Sequence, residues 1–170
     1  MNTEQRRARI LKTLDMATKP ITGTDLASQL NVSRQVIVTD IAVLRAGGMD
    51  ILASPQGYYR HTPNYQPHRA VVAVRHAPEQ TEDELVSLVD IGVEVVDVII
   101  EHPIYGEQRG MLHISSREDV RLFIDRLNLT GAKLLSELTE GLHLHTLESS
   151  RADRLDQARN ILRQRGYLVE

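Results

Sequence analysis

TGTDLASQLNVSRQVIVTDIAVLRAGG, residues 22–48, decides the fold of the first third of the chain. Thr22 and Asp25 have the S/T-x-x-D/E spacing that satisfies free N–H groups at a helix start, and Leu26, Ala27 and Leu30 recur on one face. Asn31 and Val32 leave room only for a turn. Ser33 can cap the next helix, whose inner face is Val36, Ile37, Ile41 and Leu44, and Gly47–Gly48 ends it. Two short amphipathic helices about a tight turn read as a helix–turn–helix. Upstream, residues 5–17 place Ile10, Leu11, Leu14 and Ala17 along one helical face. Downstream, DILASPQGYYR (50–60) has two β-rich runs flanking Pro55–Gln56–Gly57, a hairpin pattern. Residues 1–61 are therefore expected to form a winged helix–turn–helix that binds double-stranded operator DNA. Its recognition helix reads bases from its early positions, here Ser33, Arg34, Gln35 and Thr39. Arg34 is the strongest candidate for base readout. Arg45, Arg60 and the Arg6–Arg7–Arg9 cluster are placed for phosphates. The alternative is that Arg34 and Gln35 are ordinary solvated helix residues.

Composition sets the outer limits. The 170 residues are 41% hydrophobic with one Phe and no Trp, so the cores must be built from Leu, Ile and Val. The absence of cysteine excludes disulfides and thiolate metal sites. No run of about 18 apolar residues offers a membrane span, and the basic N-terminus lacks the apolar stretch of a secretory signal; a cytoplasmic location is expected. The net charge of −3 conceals an asymmetry. Residues 1–61 carry eight Lys/Arg against five Asp/Glu, whereas the rest carry twelve against eighteen. A basic front and an acidic back suggest two modules with different partners.

RHTPNYQPHRA (60–70) is Pro-containing and aperiodic, which puts a linker at 62–69. From residue 70 to 170 the pattern becomes β-α-β-β-α-β plus a C-terminal helix. AVVAVRH (70–76) is a strand, TEDELVSLVDIG (81–92) a helix opened by a Thr81/Glu84 capping-box spacing, and VEVVDVIIEH (93–102) a central strand. A returning strand follows, then a helix with Ser116/Asp119 at its start, a last strand, and a helix capped by Ser150. This order gives the fold class α+β: an antiparallel sheet covered on one face by two helices, an α+β sandwich.

The last strand contains GLHLHTLES (141–149). Alternation projects His143 and His145 to the same face, roughly 7 Å apart along the backbone, where two imidazoles can converge on one divalent ion. Leu142 and Leu144 are then expected to face an apolar core on the opposite side. His76 ends the first strand and Glu84 lies in the helix after it, so His76, Glu84, His143 and His145 make a possible ligand set. Glu84 could instead serve only as the last member of its capping box. His102 stands where a strand gives way to a turn, a usual place for ligand-binding residues. His113 reads as exposed, and His61 and His68 fall in the linker.

RHAPEQTEDELVSLVDIGVEVVDVIIEHPIYG, SSREDVRLFIDRL and LSELTEGLHLHT together resemble the 3H domain, named for its histidines. NVSRQVIVTDIAVLRAGGMDILASPQGYY resembles the helix–turn–helix that precedes it in niacin-responsive repressors. The resemblance spans about residues 6–169. It implies a repressor of NAD-synthesis or niacin-uptake genes, with nicotinic acid as co-repressor. It also implies His76, Glu84, His143 and His145 as ligands of one divalent transition metal per chain, nickel or zinc. His102, from its strand-end position and not from the resemblance, is placed near the effector. A homodimer is expected, since such proteins set two recognition helices one DNA turn apart. The alternatives are a metal-dependent enzyme acting on a nicotinate-like molecule, or a repressor with another effector.

Overall fold

A computed structural model describes residues 1–60 and 67–170 of the chain. It comprises two compact units, Met1–Tyr65 and Gln66–Glu170. Residues 62–66 of the expected linker lie outside the described residues, and the first strand of the second unit begins at His68, inside the span assigned to the linker.

In the first unit, α1 (Thr3–Met16), α2 (Gly23–Leu30) and α3 (Arg34–Ala46) precede a hairpin, β1 (Leu52–Ser54) and β2 (Gly57–Tyr59). Each helix start has a chemical reason. Asn2 and Gln5 form a reciprocal capping box on α1, the Thr22 hydroxyl accepts from Asp25 N–H, and the Ser33 hydroxyl accepts from Val36 N–H. Asn31 ends α2 in the left-handed region. Ile10, Leu14, Leu26, Leu30, Ile37, Ile41 and Ile51 form the core. The wing has a third strand segment, because Ile21 and Tyr58 exchange main-chain hydrogen bonds. Gly57 permits this contact: a Cβ there would lie 2.4 Å from the Ile21 carbonyl oxygen. The buried Asp40 of α3 accepts from Arg6 Nε at 2.5 Å and Arg7 Nε at 2.9 Å, tying α1 to α3.

The second unit runs β3 (His68–Arg75), α4 (Thr81–Val89), β4 (Glu94–His102), β5 (Gly106–Ile114), α5 (Arg117–Thr130), β6 (Leu142–Ser149) and α6 (Ala152–Gln164). Its sheet has the order β3-β6-β4-β5, with every neighbouring pair antiparallel. The first and last strands are thus neighbours. One sheet face, with Val72, Val74, Val95, Leu112, Ile114 and Leu147, packs against Leu85 and Leu88 of α4, Val120 of α5, and Leu155, Ala158 and Leu162 of α6. After α6 the chain returns to β3, where Arg75 N–H donates to the Tyr167 carbonyl.

Four expectations are corrected. The sheet face is covered by three helices, α4, α5 and α6, not two, because α6 also turns Leu155, Ala158 and Leu162 onto it. Ser150 does not cap α6, whose N-cap is Arg151 without a side-chain bond. The Thr81/Glu84 capping box does not form; α4 already begins at Thr81, and Gln80 precedes it without a side-chain cap. Leu142 and Leu144 are not core residues: Leu142 is 37% exposed and Leu144 half-buried. The buried face of β6 carries His143, His145 and Leu147, beside Val74, Val72 and Ala70 of β3.

Candidate metal centre and recognition helix

β6 and β3 run side by side with Val74 opposite His143 and Val72 opposite His145, so both imidazoles enter the space between sheet and helices. His76, just past β3, and Glu84, one turn into α4, meet them there. All four are buried, Glu84 completely. Gly141 makes the approach possible. It has φ +87°, and a Cβ on it would lie 2.4 Å from the His76 carbonyl oxygen. Tyr167 backs His76, with ring centroids 5.2 Å apart, and its hydroxyl donates to Asp83 at 2.6 Å. Burial and Asp83 push that phenol up to about 12.

The hydrogen bonds fix what the cluster can do. His76 Nδ1 faces the Ala77 carbonyl at 2.8 Å, His143 Nδ1 the Gly141 carbonyl at 2.8 Å, and His145 Nδ1 the Asp97 carbonyl at 2.5 Å. A carbonyl only accepts, so each Nδ1 carries the proton and each neutral ring turns the lone pair of Nε2 inward. His143 Nε2 and His145 Nε2 are 3.1 Å apart, and His76 Nε2 is 2.5 Å from Glu84 Oε2. Glu84 Oε1 is buried without a hydrogen bond, although His145 Nε2 lies 3.4 Å away. Converging lone pairs and a carboxylate need a shared cation, either a proton or a metal ion. Burial favours neutral imidazole at His76 and His145, but Glu84 outweighs it and holds both pKa values above the ordinary one. Burial would likewise raise Glu84, yet the three histidines hold it well below the usual carboxylate range. Donor atoms of His76, Glu84 and His143 all lie within 4.8 Å of one another, a spacing that can hold a metal ion, and His145 adjoins them. The donors, three imidazoles and one carboxylate, suit a borderline divalent transition metal.

Asp97 was not anticipated. It is a fully buried acid in the middle of β4. A bulge opens the β4–β6 ladder between Val95 and Ile99, and the Asp97 carboxylate fills the gap by accepting from Thr146 N at 2.8 Å and Thr146 Oγ1 at 2.9 Å. Arg109 donates to it at 2.9 Å from β5. The same residue's carbonyl orients His145, an outer support of the kind that steadies metal ligands. Its sequence signal was a lone acid inside VEVVDVII (93–100).

A cavity of about 190 Å³ adjoins the cluster. Its walls are largely apolar, from Leu85, Val98, Leu112, Phe123, Leu127 and Leu135, with Thr81 and Lys133 among the polar contributors. Sequence reasoning read Thr81 as a capping residue and assigned none of these residues to a cavity wall; they come from four separate elements and the segment after α5. His102 is not in the lining. Its Nδ1 accepts from Ile104 N–H and Tyr105 N–H and shapes the β4–β5 turn. His113 is half-buried, not exposed, with Nδ1 2.5 Å from Glu94 Oε1.

In the first unit, Ser33, Arg34, Gln35, Thr39 and Arg45 are all exposed on α3 or its cap. Ser33 and Thr39 also have local duties: the Ser33 hydroxyl accepts from Val36 N–H, and the Thr39 hydroxyl donates to the Gln35 carbonyl. Arg34 lies along Gly23 at the start of α2. Arg45 Nε donates to the Ile51 carbonyl at 2.7 Å, which leaves its other N–H groups for a further partner. Arg6 and Arg7 are held by Asp40, and Arg60 pairs with Asp15. Part of the basic cluster assigned to phosphates therefore serves the fold.

Residues 6–59 match an HTH domain and residues 69–170 match the 3H domain. The chain is 44% identical to the protein named transcription repressor NadR of Bacillus subtilis, over 97% of this chain and 93% of that protein. It is 40% identical to the protein named probable transcription repressor NiaR of Thermotoga maritima, over 98% and 95% respectively.

Proposed function

The chain belongs to the family that joins a helix–turn–helix to a 3H domain, and from that premise we propose a repressor whose second unit senses nicotinic acid beside a divalent metal, nickel or zinc. It is a DNA-binding transcriptional repressor, as its relatives are named, and not an enzyme. The controlled genes would be those of NAD synthesis or niacin uptake, in the cytoplasm; among the described residues no helix is long and apolar enough to cross a membrane.

The observation that carries this reading is the union of an inward-facing His/Glu cluster with an apolar cavity. His76, Glu84, His143 and His145 would hold the metal, which when bound would supply a Lewis-acid cation at the cavity wall. The cavity is smaller than the roughly 300–1,000 Å³ of drug-sized pockets, in keeping with a single aromatic ring. Leu85, Phe123, Leu127 and Leu135 would pack on its faces. Ser33, Arg34, Gln35, Thr39 and Arg45 would meet operator DNA, Arg34 reading a base edge. In a homodimer the effector would act by favouring the arrangement that spaces two recognition helices one DNA turn apart, and it can do so only by its differential affinity for that arrangement. The test is a gel shift of metal-loaded protein on its own upstream region. Nicotinate should tighten binding; equal binding with and without it would overturn the co-repressor assignment, and turnover of nicotinate would revive an enzyme.

A further inference from the structure

We propose that Lys133 and Thr81 select the cavity's ligand as a small planar monocarboxylate, Lys133 pairing with the carboxylate and the Thr81 hydroxyl donating to a second acceptor on the same molecule. The inference rests on the reading of this cavity as the effector site and deepens it by naming what distinguishes an acid from its amide.

Lys133, an exposed residue, is the one Lys or Arg in the cavity lining, and it is found in no ion pair among the described residues. Its position follows from the chain path. Gly131, at φ +64°, ends α5 and turns the backbone, so that residues 133–136 line the cavity opposite α4. Thr81 supplies an independent observation. Its spacing to Glu84 suits a capping box, but it sits inside the helix instead of before it, so its hydroxyl caps nothing. The residue is 7% exposed, and Oγ1 is buried with no hydrogen-bond partner. Glu84 Oε1, the other would-be capping atom, is in the same condition. A buried hydroxyl without a partner is unfavourable, and a ligand acceptor in the cavity would relieve it.

Charge decides the ligand class. Glu84 contributes one negative charge and Lys133 one positive charge, so a divalent ion held by the cluster would leave the site cationic. An anionic ligand satisfies it, whereas a neutral amide of the same shape leaves the charge of Lys133 without a partner. Lys133 is exposed and its charge is screened by solvent, so the pairing should separate the two by about two- to fivefold.

The experiment is calorimetric titration of the full-length, nickel-loaded chain with nicotinate and with nicotinamide. The parent should prefer nicotinate. Lys133→Met should weaken nicotinate about two- to fivefold and leave nicotinamide unchanged, while Lys133→Arg should keep the preference. Thr81→Val, nearly isosteric, should weaken both ligands several-fold. Metal content and melting temperature should match the parent in all three variants. If the parent binds nicotinate and Lys133→Met binds it equally, the role of Lys133 is overturned while the effector reading stands; unchanged affinities in Thr81→Val overturn the role of Thr81 in the same way. If the parent binds neither ligand, the effector reading fails and takes the proposal with it.

Discussion

Gly141→Ala should empty the metal centre without touching a ligand. A Cβ at this position would stand 2.4 Å from the His76 carbonyl oxygen, and real Cβ contacts begin near 3.0 Å. The difference, about 0.6 Å, must be absorbed by separating the start of β6 from the segment that carries His76. Metal–ligand distances tolerate only about ±0.2 Å, so the separation pulls His76 away from His143 and His145 by more than a coordination shell accepts. The left-handed backbone, φ +87°, adds roughly 1–2 kcal/mol for a residue with a Cβ, and the overpacking roughly 1–3 kcal/mol. The expected loss is then about 2–5 kcal/mol, short of unfolding in a domain of ordinary stability of about 5–15 kcal/mol. Gly131→Ala is the control. Its φ is +64° with nothing within 4 Å of the added Cβ, so it carries the backbone penalty alone. The assay is bound metal per chain and thermal melting for both variants beside the parent. Gly131→Ala should melt slightly lower and keep its metal; Gly141→Ala should melt lower still and lose it. A Gly141→Ala protein with the parent's metal content would refute the close-approach argument.

Asp97→Ala should weaken metal binding about 10–100-fold through His145, because Thr146 N and Oγ1 lose their acceptor and the bulge relaxes; Asp97→Asn, which keeps one acceptor for Thr146 N, should lose less, and equal metal affinity in parent and Ala variant would show that the bulge does not steady His145. Metal retention should fall on acidification from about pH 8 to about pH 5, beginning above the ordinary histidine value of about 6.5, because His76 and His145 are both raised and bind metal only when neutral. In the metal-free chain the sign reverses. Those raised pKa values stabilise the fold fully below about 6.5 and lose that contribution as pH rises through the folded values, so its melting temperature should drop toward alkaline pH; pH-independent retention and melting would contradict both statements. Arg34→Ala should weaken operator binding by roughly 1–3 kcal/mol and relax base preference with little change in melting, since Arg34 is exposed; unchanged affinity in a fluorescence titration would remove it from base readout.

The helix–turn–helix was legible because its signals are local. Caps at Thr22 and Ser33, the turn at Asn31 and an apolar 3.6-residue period each act within a few residues, and each is found. The order of elements in the second unit was legible for the same reason. What failed was the assignment of faces. In GLHLHTLES, alternation separates histidines from leucines but does not say which set is buried. Ordinary hydrophobicity assigns the leucines to the core, whereas the histidines occupy it because His76 and Glu84 wait there. Leu144→Asp is accordingly milder than a core substitution. Thr81 and Glu84 failed for a related reason, since one spacing serves both a capping box and an inward-facing acid. Asp97 depends on Thr146, tens of residues away in sequence, and no local pattern announces it. His102 showed the converse: a strand-end position suggests a binding role, but its ring closes its own turn.

The most direct test is elemental analysis of the full-length chain after incubation with nickel or zinc and dialysis near pH 8, beside His145→Ala and Glu84→Gln. His145 supplies one of the paired Nε2 lone pairs and Glu84 the cluster's only carboxylate among the described residues. One metal ion per parent chain is expected, with most of it lost from each variant while both remain folded. A parent that retains no metal, or variants that retain as much as the parent, would contradict it.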